Sequence, residues 1–394
     1  MSIHLAHRLQ RIRPSATVGI TARATRLRDE GRDVIVLSVG EPDFPTPEHI
    51  KAAAREALTR NDTKYTAVDG SRLLKEAVVA KFARDNRLSY TPEQVLISNG
   101  AKQSCYNACL ALLEAGDEAI VPAPYWVSYP DMVRLADAEP VIVHGAEERG
   151  FKIPPAQLAA AITPRTRLLI LNSPCNPTGA VYTRADWVAL GEVLRTHPRV
   201  VVLTDDIYEH IYWADSAFTS FAEACPDLYE RTITINGMSK AYAMSGWRIG
   251  YAAGPLPVIQ AMTSLQSQTT TNACTLSQAA ARAALLGDQQ CVRDMCAEFK
   301  WRHDFVLAGV RQLPGIDCVP ASGTFYLFPN IEAAMRAKKS ATDVDFCEQL
   351  LEATGVALVP GSAFGAPGYL RMSFAASAAT LTSALSRLHD FLAA

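Results

Sequence analysis

The stretch Thr232–Gly254, TITINGMSKAYAMSGWRIGYAAG, decides how the rest of the chain is read. It opens with alternating β-branched residues, Thr232 to Ile235, which predict a buried strand. The chain then breaks at Asn236 and Gly237 and presents Lys240 among small and apolar neighbours. A second apolar run, Ile249 to Ala253, follows Arg248. Loss of water around an amine favours its neutral form, and a neutral amine attacks carbonyl groups. Most lysines are solvated surface charges, so the rest of the sequence has to supply a reason to read Lys240 differently.

Working outward, short apolar runs at Val95–Ser98, Ala119–Val121, Val141–Val143, Leu168–Asn172 and Val200–Thr204 precede the 232–236 strand. Helix-length segments separate most of them. This alternation predicts an α/β fold with a mostly parallel sheet covered on both faces. The 249–253 run is a candidate seventh strand. Beyond residue 255 the texture changes to long helical stretches, 256–286 and 288–312. Shorter strands follow near Cys318 and over 325–328, 356–359 and 370–374, then a last helix over 381–392. The pattern predicts a smaller α+β domain joined by the N-terminal segment. That segment holds a helix over 17–30, a strand over 34–39 and the proline-rich bend GEPDFPTP (40–47). The expected division is 1–45, 46–285 and 286–394.

In open α/β sheets, ligands bind at the carboxyl ends of the strands. The first strand ends in SNGAK (98–102), where a helix begins at once, and its free N–H groups suit an anion. The second ends in PAPYW (122–126), placing Trp126 to stack on a flat ring. The fourth ends in NSPCNPTG (172–179), whose two X-Pro bonds in a tight turn invite a cis peptide and whose Asn176 offers an amide. The fifth ends in DDIY (205–208); a carboxylate directly after a buried strand needs a partner. The sixth supplies Ser239, Lys240 and Arg248. Pyridoxal 5′-phosphate needs such a set: an amine to join its aldehyde, an acid at the ring nitrogen, donors to the ring oxygen, and a cradle for phosphate.

The 394 residues are 49% hydrophobic and 20% charged, with a formal charge of −2, an ordinary globular composition. No basic surplus points to nucleic acid, and no apolar run approaches the ~20 residues of a membrane helix. The N-terminus has charges where an export signal has an apolar centre. Nine cysteines lack zinc-like spacing, so no metal is expected, and an odd count fits a reducing cytoplasm.

These motifs resemble the class I/II aminotransferases of the fold-type I pyridoxal-phosphate family, in the aspartate/prephenate branch. The resemblance runs from PSATVGITARA (14–24) and VGEPDFPTP (39–47) through NSPCNPTG, TDDIYE and SKAYAMSGWRIGY to VPGSAFG (359–365) and LRMSF (370–374). It implies a large domain built on a seven-stranded sheet sandwiched by helices. It also implies that Lys240 binds the cofactor covalently, Asp205 faces the ring nitrogen, and Asn176 and Tyr208 reach the ring oxygen. Trp126 stacks on the ring. Ala101, Lys102, Ser239 and Arg248 hold the phosphate, and Tyr65 does so from a second subunit of a homodimer. Arg371, with the Gly40 backbone, takes the substrate α-carboxylate. Lys102 and the hydroxyls of Ser15 and Thr17 match the places where this branch reads a distal carboxylate. The sequence departs at Gly237, where many relatives carry serine, at Asp206, and at Cys175.

The implied activity moves an amino group between an L-amino acid, aspartate or glutamate, and a 2-oxo acid, 2-oxoglutarate or oxaloacetate. Enzymes for aromatic, prephenate or neutral substrates, and C–S β-lyases, share the cofactor residues and stay open at this point. A DNA-binding sensor built on the fold would need a longer N-terminal arm.

Overall fold

The computed structural model describes residues 3–12 and 16–393. Its centre is a seven-stranded sheet in the spatial order Val95–Ser98, Gly250–Ala253, Thr232–Gly237, Val201–Asp205, Thr166–Asn172, Glu118–Ala123 and Glu139–His144. Gly250–Ala253 pairs antiparallel with both neighbours, and every other pairing is parallel. All seven are the runs read from the sequence, and the 249–253 run is the strand of opposite direction.

Side-chain alternation explains the two covering layers. Leu168 and Ile170 pack on one face against the helices Ala101–Leu112, Tyr129–Leu135 and Leu256–Ser267. Leu169 and Leu171 pack on the other, with Trp187 and Leu190 of the helix Arg184–Arg195. The helices Glu48–Thr59, Arg72–Asn86 and Thr275–Leu286 complete that second layer.

A separate core joins Ile35 and Leu37 to residues 299–388. It covers a three-stranded antiparallel sheet, Val359–Pro360, Leu370–Ser373 and Tyr326–Leu327. Ile35–Val36 pairs in parallel with Val356–Ala357, which ties the N-terminal segment to the C-terminal part of the chain.

Several boundaries differ from the sequence reading. The expected helix 256–286 is two helices, Leu256–Ser267 and Thr275–Leu286. Between them Thr269, Thr270 and Thr271 form a β-branched run that disfavours helix, and Thr271 takes a positive φ of 56°. The strand over 34–39 shortens to two residues, because Leu37 N–H bonds Ala357 but the chain then turns into the bend at Gly40. The strand expected near Cys318 is only an isolated bridge from Asp317 to Asn330. Among the described residues no helix is long and apolar enough to cross a membrane.

Behind the sheet edge lies a buried ion pair between Lys81 and Glu209. Asn86 joins it, accepting from Lys81 at 2.7 Å and donating to Glu209 at 2.8 Å. Burial pushes the Glu209 carboxyl up, but the Lys81 charge, His210 and the Asn86 donor together outweigh it and hold the group below its ordinary range. The stability this group contributes is therefore full above its unfolded pKa and falls away in acid. Lys81→Met would leave Glu209 buried without its cation. It is expected to cost about 3 kcal/mol, read as a lower chemical-denaturation midpoint; a wild-type midpoint would remove the pair's stabilising role.

Candidate active site

The carboxyl ends of Val201–Asp205 and Thr166–Asn172, the start of the helix Ala101–Leu112, and the connection from Gly237 to Gly250 meet around a cavity of about 330 Å³. Every residue expected at the site lines it except Tyr65, Thr17 and Ser15. Tyr65 stands apart and is 90% exposed. Thr17 lies on the helix Ala16–Asp29, but its side chain, like Ser15, is outside the described residues.

Lys240 follows the central strand Thr232–Gly237 and is half-buried. Its Nζ donates to the Gly40 carbonyl at 2.5 Å. Burial, then the nearby Arg371 charge, lowers its pKa to about 8, with Glu41 and Asp205 opposing. An ammonium so weakened releases its proton near neutrality, as a nucleophile and proton carrier must.

Asp205 ends the neighbouring strand with its side chain buried. Oδ2 accepts from Tyr129 Oη at 2.7 Å, and Oδ1 from the Ile207 N–H at 3.3 Å. Burial raises its pKa, while these two donors and the Lys240 charge pull it back. The carboxylate lacks a full counter-charge and suits a cationic ring nitrogen.

Tyr208 Oη lies 3.0 Å from Tyr326 Oη, and burial pushes both phenols up. Asn176 sits in the turn with two cis peptides, Ser173–Pro174 and Asn176–Pro177. Its N–H donates to Asn172 Oδ1 at 2.8 Å, and its Oδ1 accepts from Arg371 Nη1 at 3.0 Å. Arg371 also donates from Nη2 to the Ser38 carbonyl at 2.6 Å. The guanidinium is buried, has no carboxylate partner among the described residues, and leaves Nε unbonded. A buried cation in that state is costly until an anion arrives.

The opposite end of the cavity is built from glycines. Gly100, at φ 84°, turns the chain from strand into helix, so that the first helical N–H groups open toward the cavity. At Gly250 a Cβ would come within 2.1 Å of Ala101 N, so this close approach admits no side chain. Arg248 caps the corner, donating to Ser245 O at 2.8 Å and to Asn99 O at 3.3 Å. Ser239 is buried beside it. Lys102 Nζ sits 5.0 Å from the Trp126 ring centroid, and burial, then Arg248, lowers its pKa. The departure at Gly237 has a steric reason: a Cβ there would meet Gly250 Cα and Ile207 Cδ1 at 3.0 Å.

A model of the family described as aminotransferase class I and II matches residues 32–388. The chain belongs to this family. It is an aminotransferase. It is 48% identical to the aspartate/prephenate aminotransferase of Nitrosomonas europaea, over 98% of this chain and 99% of that protein. The crystal structure of the aspartate aminotransferase of Rhizobium meliloti superposes with a TM-score of 0.95, at 44% identity, over 100% of this chain and 99% of that one. The Thermus thermophilus aspartate aminotransferase with maleate gives 0.92 at 43% identity, over 99% of this chain and 100% of the other.

The residues of this aminotransferase's cavity that the sequence reading gave no chemistry include Tyr129, Tyr326 and Asn172. Tyr129 stands three residues beyond Trp126, in the same strand-to-helix turn, and Asn172 ends a strand. Both were findable by the strand-end rule. Tyr326, inside an apolar strand, was not. Gly250→Ala is expected to push the helix start away from Arg248, weakening phosphate binding at least tenfold by equilibrium dialysis while the protein stays folded; wild-type affinity would show that the close approach is not needed.

Proposed function

We propose that this aminotransferase moves the amino group between L-aspartate or L-glutamate and 2-oxoglutarate or oxaloacetate, with pyridoxal 5′-phosphate as cofactor. The observation that carries the reading is the buried, carboxylate-free Arg371 lining the same cavity as an amine whose pKa is lowered to about 8. The donor set fits the cofactor. Phosphate would rest on the Ala101 and Lys102 N–H groups, Ser239 and Arg248, in the space the glycines keep clear. Asp205 would face the ring nitrogen, Trp126 the ring, and Asn176 and Tyr208 the ring oxygen.

When bound, the cofactor accepts the amino group and spreads the electron pair of the broken Cα–H bond. The protein's own residues do the rest. Arg371 binds the α-carboxylate bidentately and so orients Cα. Lys240 Nζ, neutral once freed, takes the Cα proton and returns it at the far end of the same face. Asp205 stays anionic against a cationic partner and stabilises the charge that develops.

The distal carboxylate would meet Lys102, the cation left at the mouth, with the hydroxyls of Ser15 and Thr17. The relatives named for aspartate, and the Thermus protein's complex with maleate, a dicarboxylate, support an acidic substrate. The name aspartate/prephenate favours prephenate as a second acceptor, also a dicarboxylate and readable by the same two cations. We also propose a homodimer. The exposed Tyr65 ring supports it, as a residue that completes a partner's phosphate site. Residues 46–285 would form the cofactor-holding domain, with 286–394 and 1–45 as the smaller one. Nine unpaired cysteines support a cytoplasmic location.

Lys240→Ala should retain the cofactor, lack the visible band of the lysine-bound form, and lose nearly all turnover; substantial transamination would contradict its role. Lys102→Ala should raise KM for aspartate and 2-oxoglutarate at least tenfold more than for alanine and phenylalanine. Equal effects on all four in steady-state kinetics would remove the acidic reading.

A further inference from the structure

Tyr326 belongs to a short strand of the smaller sheet and is fully buried, yet its phenol reaches the cavity. Three groups converge on it. Its Oη lies 3.0 Å from Tyr208 Oη. Its ring lies under the Arg371 guanidinium, 4.4 Å from Cζ to centroid. Its hydroxyl packs so closely on Gly40 that a Cβ there would come within 2.3 Å of it, and the Gly40 carbonyl in turn receives Lys240 Nζ.

From this placement, and resting on the cofactor reading above, we infer that Tyr326 is a positioning residue that fixes the direction of the Tyr208 hydroxyl. A phenol has one proton to donate and lone pairs to accept with. When Tyr208 donates to the ring oxygen, the 3.0 Å contact is completed only by Tyr326 donating to Tyr208. Tyr326 has no other hydrogen-bond partner for its hydroxyl among the described residues, so its proton is committed to that direction. Donors in series strengthen one another. The pair therefore holds negative charge on the ring oxygen, which disfavours a proton on the neighbouring lysine-bound nitrogen. Without the Tyr326 hydroxyl, Tyr208 is free to turn and its donation weakens.

Tyr326→Phe keeps the ring beneath Arg371 and removes only the hydroxyl. The test compares wild type, Tyr326→Phe, Tyr208→Phe and the double variant, each loaded with pyridoxal phosphate. The visible band of the lysine-bound cofactor is titrated from about pH 5 to about pH 10. Tyr326→Phe is expected to raise the midpoint by about half a pH unit, to lower kcat several-fold, and to leave KM for the amino donor within about twofold, since Arg371 is untouched. In the Tyr208→Phe background the same change should add nothing. An unmoved midpoint in Tyr326→Phe, or an equal shift in both backgrounds, would overturn the inference while leaving the cofactor reading intact. A wild-type protein that gives no visible band would overturn both.

Discussion

Lys240 gives up much of its hydration and lies within the fields of Arg371 and Arg248. A primary amine so placed holds its proton weakly, and the surrounding structure has to keep that arrangement from relaxing. It does so through a set of hydrogen bonds to the bend at 40–47. The Gly40 carbonyl accepts a hydrogen bond from Nζ, Thr46 donates to the Ala243 carbonyl at 2.7 Å, and Trp247 Nε1 donates to Thr46 at 3.0 Å. Ser245 also bonds Glu41. The proline-rich bend is thus fastened to the lysine-bearing connection along its length. The reactive group is set by packing and sheet position, not by a flexible tether.

The charges around the amine are arranged so that none is satisfied by another inside the cavity. Asp205 has neutral donors and no close cation; Arg371 has carbonyl and amide acceptors and no carboxylate. Such a site is costly alone and gains from each correctly charged group that enters. Where the protein needs an ion pair for stability, it makes one out of reach of the ligand, as with Lys81 and Glu209.

Most of the fold was legible because buried parallel strands are short, apolar and bounded by turn residues. Leu168–Asn172 and Thr232–Asn236 announce themselves that way. The carboxyl-end rule then pointed to Asp205, Asn176 and Lys240 without any knowledge of distances. The helix break at 268–274 was hidden because its threonines are ordinary in a helix surface and only their succession is unfavourable. Tyr326 was hidden for a deeper reason. Its strand is two residues long, and its role depends on Gly40, Tyr208 and Arg371, which lie far apart along the chain. Thr17 and Ser15 fall where side chains are not described.

Ser98 pairs with Gly250 across two strands that run in opposite directions. The end of one is therefore the beginning of the other, and Arg248 is delivered to the helix start by sheet register instead of by a loop of adjustable length. Insertions between the remaining strands and helices of the large sheet can be absorbed at the surface. One extra residue between the left-handed Arg248 and the paired Gly250 would carry the guanidinium away from the Asn99 carbonyl that it reaches at the helix start. The spacing of that dipeptide step is a fixed dimension of the architecture, one that drift elsewhere in the chain leaves unchanged.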